Sequence, residues 1–343
     1  MEKQRICLII PPSPFLADER VFISLGPLKV AASLEKAGYP VDVLDLSGVK
    51  NHQEVVRDYV RKGETNIYGI SITTPQTPGA DKILKIIKEE RPLAKTIIGG
   101  PHPTVINAAM RMEIKKGNIG RAHRAMSSLE QMADVIVAGD GEFAVLSAIN
   151  RDAPKLIDGD NPDSSLFLSP EQLGELPFPS RHLVDLHSYE YLINNVKSTS
   201  LIMQLGCSFG CRFCSGRLSP TFRRVRIRSI NSVIDEIREI YEQYKFRGFM
   251  LYDDELNLSP NMIKDLYAIA DLQMKLGESF VFRGFLKSNL FNEKQAQALK
   301  EANFKEVCIG FESGSPRILR NIKKQATVEQ NTRCVEIAKK YDL

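Results

Sequence analysis

Short apolar runs alternate with helix-spaced segments along almost the whole chain, and few folds tolerate that rhythm. Over residues 1–150 the runs are Ile6 to Ile10, Val41 to Leu46, Ile67 to Ile72, Lys95 to Ile98 and Ala133 to Val137. Between them, Leu28 to Ala37, Gln53 to Lys62 and Ala80 to Glu90 carry helical spacing, with Gly38 and Pro92 placed where helices stop. The pattern predicts a parallel sheet covered by helices on both faces, its five strands in the order 2-1-3-4-5.

That order is the flavodoxin-like, doubly wound arrangement, in which ligands sit beyond the carboxyl ends of the strands. The polar and glycine-rich stretches fall there: residues 11–13, Asp45, Ser71 to Thr74, Gly99 to His102 and Gly139 to Glu142. A long connection, about Val105 to Gln131, separates the fourth and fifth strands. It carries Arg111, Lys115, Lys116, Arg121, His123 and Arg124, and reads as solvated helices on the rim or as a docking surface. Residues 151–195, rich in Pro, Asp and Ser, read as a packed interdomain linker.

From residue 200 the alternation resumes. Apolar runs at Leu201–Leu205, Gly248–Tyr252, Phe280–Phe285 and Val307–Phe311 are separated by helical segments, and residues 196–343 form a second α/β domain of four βα units. Asn292 and Thr327 stand where helix caps are expected, the latter opening a capping box with Gln330.

Composition narrows the function classes. With 43% apolar and 26% charged residues the chain is an ordinary globular protein, and a net charge of +4 gives no argument for nucleic acid. No apolar run approaches the ~20 residues that span a bilayer. Met1 to Arg5 lead straight into a strand-like run without a secretory segment, so a cytoplasmic location is expected.

The chemistry concentrates in Cys207-Ser208-Phe209-Gly210-Cys211-Arg212-Phe213-Cys214. Cys7, Cys308 and Cys334 are scattered through apolar or helical patterns, but these three thiols crowd one loop flanked by Gly206. In a reducing compartment such a cluster reads as metal-binding or catalytic. A structural zinc site closes with four ligands, often as paired CxxC units, and no fourth ligand is near. A cubane iron–sulfur cluster held by three thiolates leaves one iron open, and that reading uses the spacing.

The CxxxCxxC loop, with Phe213 before its last cysteine, resembles the signature of radical S-adenosylmethionine (SAM) enzymes, and the resemblance runs from about Leu201 to the C-terminus. It implies a 4Fe-4S cluster on Cys207, Cys211 and Cys214, whose open iron chelates SAM. An electron then cleaves the sulfonium C–S bond to a 5′-deoxyadenosyl radical. It also implies SAM contacts at Tyr252, Asp253, Asp254 and Glu255, which depart from the family's glycine-glycine-glutamate form. Glu312 and Ser313 resemble the fourth-strand contact to the SAM ribose or methionine moiety, and Arg283 or Lys287 would pair with the SAM carboxylate. The basic run Arg223 to Arg228 reads as alternating solvated arginines or as a cationic rim.

Residues 1–150 resemble the cobalamin-binding domain fused ahead of that core in one branch of the family. The likeness lies in Pro11-Pro12, Ser71 to Gln76, Gly99 to Thr104, Gly139 to Glu142 and Leu176-Pro177-Phe178-Pro179. It implies cobalamin contacts at Ser71, Thr73, Thr74, Gly99, Gly100, His102, Gly139, Gly141 and Glu142. The Asp-x-His-x-x-Gly motif that supplies a cobalt-ligating histidine is absent, so cobalamin would lack a histidine lower ligand.

Together these resemblances imply a cobalamin-dependent methyltransferase acting on an unactivated centre of a small molecule. A flavodoxin or ferredoxin would serve as electron donor. A cobalamin-assisted radical cyclase or oxidase is the alternative. The four βα units fall short of the family's barrel, so the second domain reads as a partial (βα) barrel, incomplete at its C-terminus. A truncated, non-catalytic cluster-binding fragment is therefore a further expectation.

Overall fold

A computed structural model of the chain describes residues 3–343. Met1 and Glu2, part of the segment read as free of a secretory signal, lie outside the described residues. Two compact units emerge. Among the described residues the first comprises 3–168, 175–188 and 218–221, and the second 169–174, 189–217 and 222–343.

The first unit is built on a six-stranded parallel sheet. Its strands are β1 (Ile6–Ile10), β2 (Val41–Asp45), β3 (Ile67–Ser71), β4 (Lys95–Gly99), β5 (Val135–Gly139) and β6 (Leu156–Gly159), in the order β2-β1-β3-β4-β5-β6. Strand pleating sends Cys7 and Ile9 to one apolar layer and Ile6 and Leu8 to the other. Val56, Val60, Ile83 and Ile87 from helices cover the first layer, and Ala31, Leu34, Ala144 and Val145 cover the second. The sheet is therefore doubly wound. Each buried Val, Leu or Ile among them contributes roughly 1.5–3 kcal/mol.

Two details differ from expectation. The sixth strand lies in the stretch read as linker. Leu156–Gly159 alternates buried and half-buried positions and pairs with β5, a signal too short to separate from the surrounding Pro and Asp residues. The long connection is two helices, Pro101–Lys115 and Arg121–Met132, and they are not simply solvated. Ile106, Met126 and Leu129 pack into the core, while Arg111 pairs with Asp158 and Asp160.

The second unit holds β7 (Tyr191–Ile193), β8 (Val196–Leu201), β9 (Gln204–Leu205), β10 (Arg226–Ile227), β11 (Gly248–Leu251), β12 (Val281–Leu286) and β13 (Phe304–Ile309). Its curled sheet runs β13-β12-β11-β8-β7, parallel except for the β7–β8 hairpin, which the sequence reading missed. Helices Ile230–Tyr244, Met262–Leu276 and Glu293–Glu301 alternate with these strands, as a partial (βα) barrel requires. Stacked Phe249, Phe282 and Phe304 form the seam of its core. The last strand runs Phe304–Ile309 rather than Val307–Phe311, so Glu312 stands further beyond its end than expected. The expected caps are present: Asn292 accepts from Gln295 N, and Thr327 and Gln330 cap each other's backbone. Among the described residues no helix is long and apolar enough to cross a membrane.

Candidate functional site

In the second unit the cysteine loop is closed at its base by a two-stranded antiparallel ribbon, β9 against β10. Leu205 faces Arg226 and Gln204 faces Ile227. At the mouth, Cys207 N donates to Phe222 O at 2.9 Å. Gly206 has φ +88°, and a side chain there would strike the Arg224 carbonyl, so only glycine fits. Further along, Arg212 N donates to Ile322 O at 2.8 Å, and Arg223 donates to Ser208 O.

The basic run is therefore structural as well as cationic, which corrects the reading of alternating solvated arginines. Arg226 is fully buried in the ribbon. Arg228 donates to Ile202 O at 2.7 Å and pairs with buried Glu236.

The three thiols differ in exposure: Cys207 is half-buried, Cys211 buried and Cys214 exposed. Burial pushes the Cys207 thiol pKa up, opposed by a backbone hydrogen bond from Phe209. Among the described residues no group of three His, Cys, Asp or Glu side chains is gathered closely enough to hold a metal ion. The loop brings three soft donors of unequal exposure to one turn.

The acids after β11 buttress this loop. Buried Asp253 turns Oδ1 to the backbone N–H groups of Met203 (2.8 Å) and Gln204 (3.2 Å). Its Oδ2 has no hydrogen-bond partner among the described residues, and burial, strengthened by nearby Asp254, pushes its pKa up to about 7 against those two bonds. Asp254 Oδ2 accepts from Gly206 N at 2.8 Å. The Glu255 carbonyl accepts from Gln204 Nε2. Burial raises the Glu255 carboxyl pKa, while Lys324 and Lys287 pull it down. Tyr252 is exposed, its ring edge-on to Phe285 at 6.4 Å.

Arg283 and Lys287, alike in sequence, have different surroundings. The Arg283 guanidinium is engaged by Cys308 Sγ (3.0 Å), the Tyr191 hydroxyl (3.1 Å) and Glu306 (3.2 Å). Lys287 is buried beside the cysteine loop, its Nζ 4.5 Å from the Phe209 ring centre. Glu312 sits at φ +64° and pairs with buried Lys324 at 3.0 Å. Ser313 Oγ accepts from Ser315 N at 3.1 Å. Sequence reasoning missed Lys324, one of two adjacent lysines with nothing to set it apart.

In the first unit, Ser71 and Gly99 are neighbours at the ends of β3 and β4. Gly100, at φ +97°, lies where a side chain would meet Ser71 Oγ and the Ile72 backbone. His102 N donates to Ile72 O at 3.0 Å, and its Nδ1 lies 2.9 Å from Thr74 Oγ1. Burial holds the imidazole pKa down. Thr73 caps the short turn Thr74–Gln76, and Gln76 Nε2 donates to Pro11 O at 2.8 Å. These residues form one connected rim.

The other candidates have packing duties. A side chain on Gly139 would collide with the Gly159 and Asp160 backbone, and one on Gly141 would press on Val30. Glu142 is buried against Lys29. Asp160, which sequence reasoning passed over, is fully buried and accepts from Ser219 Oγ and, at 2.9 Å, from Thr221 N. The only hint in the sequence is its place in Asp158-Gly159-Asp160, just after a short apolar pair.

Comparison with known proteins follows the same division. Residues 201–343 match the model of the radical SAM superfamily, and residues 19–130 match that of the B12 binding domain. An uncharacterized methyltransferase of Pyrococcus horikoshii is 27% identical over 347 residues, covering 100% of this chain and 73% of its own length. An anaerobic magnesium-protoporphyrin IX monomethyl ester cyclase of Rubrivivax gelatinosus is 25% identical, over 89% of this chain and 54% of its own. Among solved structures, the radical SAM methyltransferase TsrM from Kitasatospora setae superposes with a TM-score of 0.73 at 16% identity. That alignment covers 99% of this chain and 66% of TsrM. The chain thus spans between about half and three quarters of the length of these proteins.

Proposed function

We propose that this chain, which carries a B12-binding domain followed by a radical SAM domain, cleaves SAM reductively and transfers a methyl group to an unactivated centre of a small molecule. Use of a 4Fe-4S cluster and SAM is the norm for radical SAM domains, and the first domain is of the type that takes cobalamin. The observation that carries the reading is the cysteine loop: three soft donors in one turn, clamped at its base by Asp254 and the β9–β10 ribbon.

The residues present fit these groups. Three thiolates suit iron and leave one coordination position open. The orphaned Oδ2 of buried Asp253 suits an ammonium donor such as the SAM amino group, and such a cation would keep the carboxylate ionised. Of the two candidate partners for the SAM carboxylate, Lys287 lies beside the loop, whereas Arg283 is engaged with Glu306, Cys308 and Tyr191. In the first domain, Ser71, Thr73, Thr74, Gly99, Gly100 and His102 would line a cobalamin rim. Gly139, Gly141 and Glu142 would shape it through packing.

When bound, the cluster supplies the electron that breaks the sulfonium C–S bond, and cobalamin supplies the methyl group. The chain's part is to hold the thiolates, orient SAM and keep its acids ionised. A flavodoxin or ferredoxin would deliver electrons, in the cytoplasm.

The likeness to the cyclase favours ring closure or oxidation as a second reading. Anaerobic reconstitution with iron and sulfide, then SAM and dithionite, tests the first step. We expect 5′-deoxyadenosine from the wild type and none from Cys211→Ala. No product from a fully loaded wild type would refute the enzyme reading. Methylated against dehydrogenated products separate the two outcomes.

A further inference from the structure

Lys287 is 1% exposed, yet no carboxylate lies within ion-pair distance of it among the described residues. Its Nζ donates to the Lys324 carbonyl at 2.6 Å, a neutral partner. Its backbone is pinned from both sides by Asn257, whose Oδ1 accepts from Lys287 N and whose Nδ2 donates to Lys287 O. A buried ammonium without a counter-charge is strongly unfavourable, and an apolar side chain would fill the space better.

A second ammonium stands behind it. Lys324 is 6% exposed and pairs with Glu312 at 3.0 Å. Each lysine lies over one aromatic ring of the cysteine loop, Lys287 at 4.5 Å from Phe209 and Lys324 at 5.9 Å from Phe213. Burial and the like charge of Lys324 pull the Lys287 pKa down, and the groups that oppose them are Cys211, Glu255 and Cys207. Two of the three are the loop's own thiols.

We propose that Lys287, backed by Lys324, is the fixed counter-charge of the cysteine loop, and that it raises the reduction potential of the centre the three thiols hold before SAM binds. The inference rests on reading the loop as a cluster site. Uptake of one electron adds negative charge at the loop, and a buried cation held at fixed distance favours that state.

The test is potentiometry of the anaerobically reconstituted full chain without SAM, titrated with dithionite and followed by electron paramagnetic resonance. Lys287→Met keeps the stem and removes the charge, and Lys287→Arg keeps the charge. We expect Lys287→Met to move the midpoint negative by at least about 59 mV, a tenfold change for a one-electron couple. Lys287→Arg should stay near the wild type, and Lys324→Gln should shift less, in the same direction.

Full cluster content with an unchanged midpoint in Lys287→Met overturns the proposal. So does an unchanged midpoint joined to lost SAM affinity, which would assign the ammonium to the SAM carboxylate alone. If Lys287→Met takes up no cluster while Lys287→Arg does, the charge requirement stands. If neither does, the sign of the Lys324→Gln shift decides. A wild type that takes up no cluster would instead refute the cluster reading itself.

Discussion

Asp254 Oδ2 accepts the backbone N–H of Gly206 at 2.8 Å, tying the turn after β11 to the residue just before Cys207. Gly206 cannot be replaced there, so the carboxylate fixes the one point where the loop must bend. A hydrogen bond to a charged group contributes about 1.5–3 kcal/mol. Asp254→Ala should therefore release iron faster than the wild type when challenged with a chelator, and Asp254→Asn should fall between them. Equal release rates would show that the loop holds its shape without this bond.

Asp253 makes stability depend on pH. Its folded pKa is pushed up to about 7, above the ordinary aspartate value of about 3.8, because burial and Asp254 outweigh two backbone hydrogen bonds and Arg228. Between these values the folded state binds more protons than the unfolded state, so stability falls as pH rises from about 4 to 7. The loss is at most ~4 kcal/mol for three pH units. Denaturant midpoints of the apoprotein should decline over this window, and Asp253→Asn should flatten that part of the profile. A profile identical in both proteins would remove Asp253 from the account.

Both acids were visible in the sequence as a pair after a strand, but their jobs were not. Alternation of apolar runs gave the sheets because pleating and helix periodicity act locally. The order β2-β1-β3-β4-β5 followed from topology rules alone. β6 escaped because Leu156 and Ile157 are a two-residue signal in polar surroundings, and only pairing with β5 makes them a strand. The cysteines announced the loop through spacing. Lys287 and Lys324 did not announce their burial, since a lysine's partners come from distant segments. Gly139 and Glu142 were read as ligand-facing from their position at a strand end, and their packing against Gly159 and Lys29 depends on elements far along the chain.

Asp160 is the strongest such case. Its carboxylate, fully buried, holds Arg111, Ser219 and Thr221 within the first unit. Segment 218–221 follows Cys214 by only a few residues. Removing one partner of a buried charged network costs roughly 3–5 kcal/mol. Asp160→Ala should lower the melting temperature of the first unit by several degrees, and Asp160→Asn by less, since Asn keeps an acceptor. Scanning calorimetry of the full chain reads both. No shift in either variant would mean that the network is redundant.

His102 offers a test of the proposed cobalamin rim. It stands at the start of the helix Pro101–Lys115, where Thr74 Oγ1 lies 2.9 Å from Nδ1 and its backbone N–H is spent on Ile72 O. That leaves Nε2 as the side-chain nitrogen without a hydrogen bond among the described residues, on a ring fixed by its neighbours. The sequence lacks the motif that delivers a cobalt-ligating histidine, and a ring held by Thr74 serves instead to join two strand-end loops. In protein loaded with cobalamin and reduced to cobalt(II), electron paramagnetic resonance should show no nitrogen splitting from an axial ligand. His102→Ala should give the same spectrum while weakening cobalamin retention modestly, through the loss of the Thr74 bond. Nitrogen splitting in the wild type that disappears in His102→Ala would make His102 a ligand and overturn this assignment.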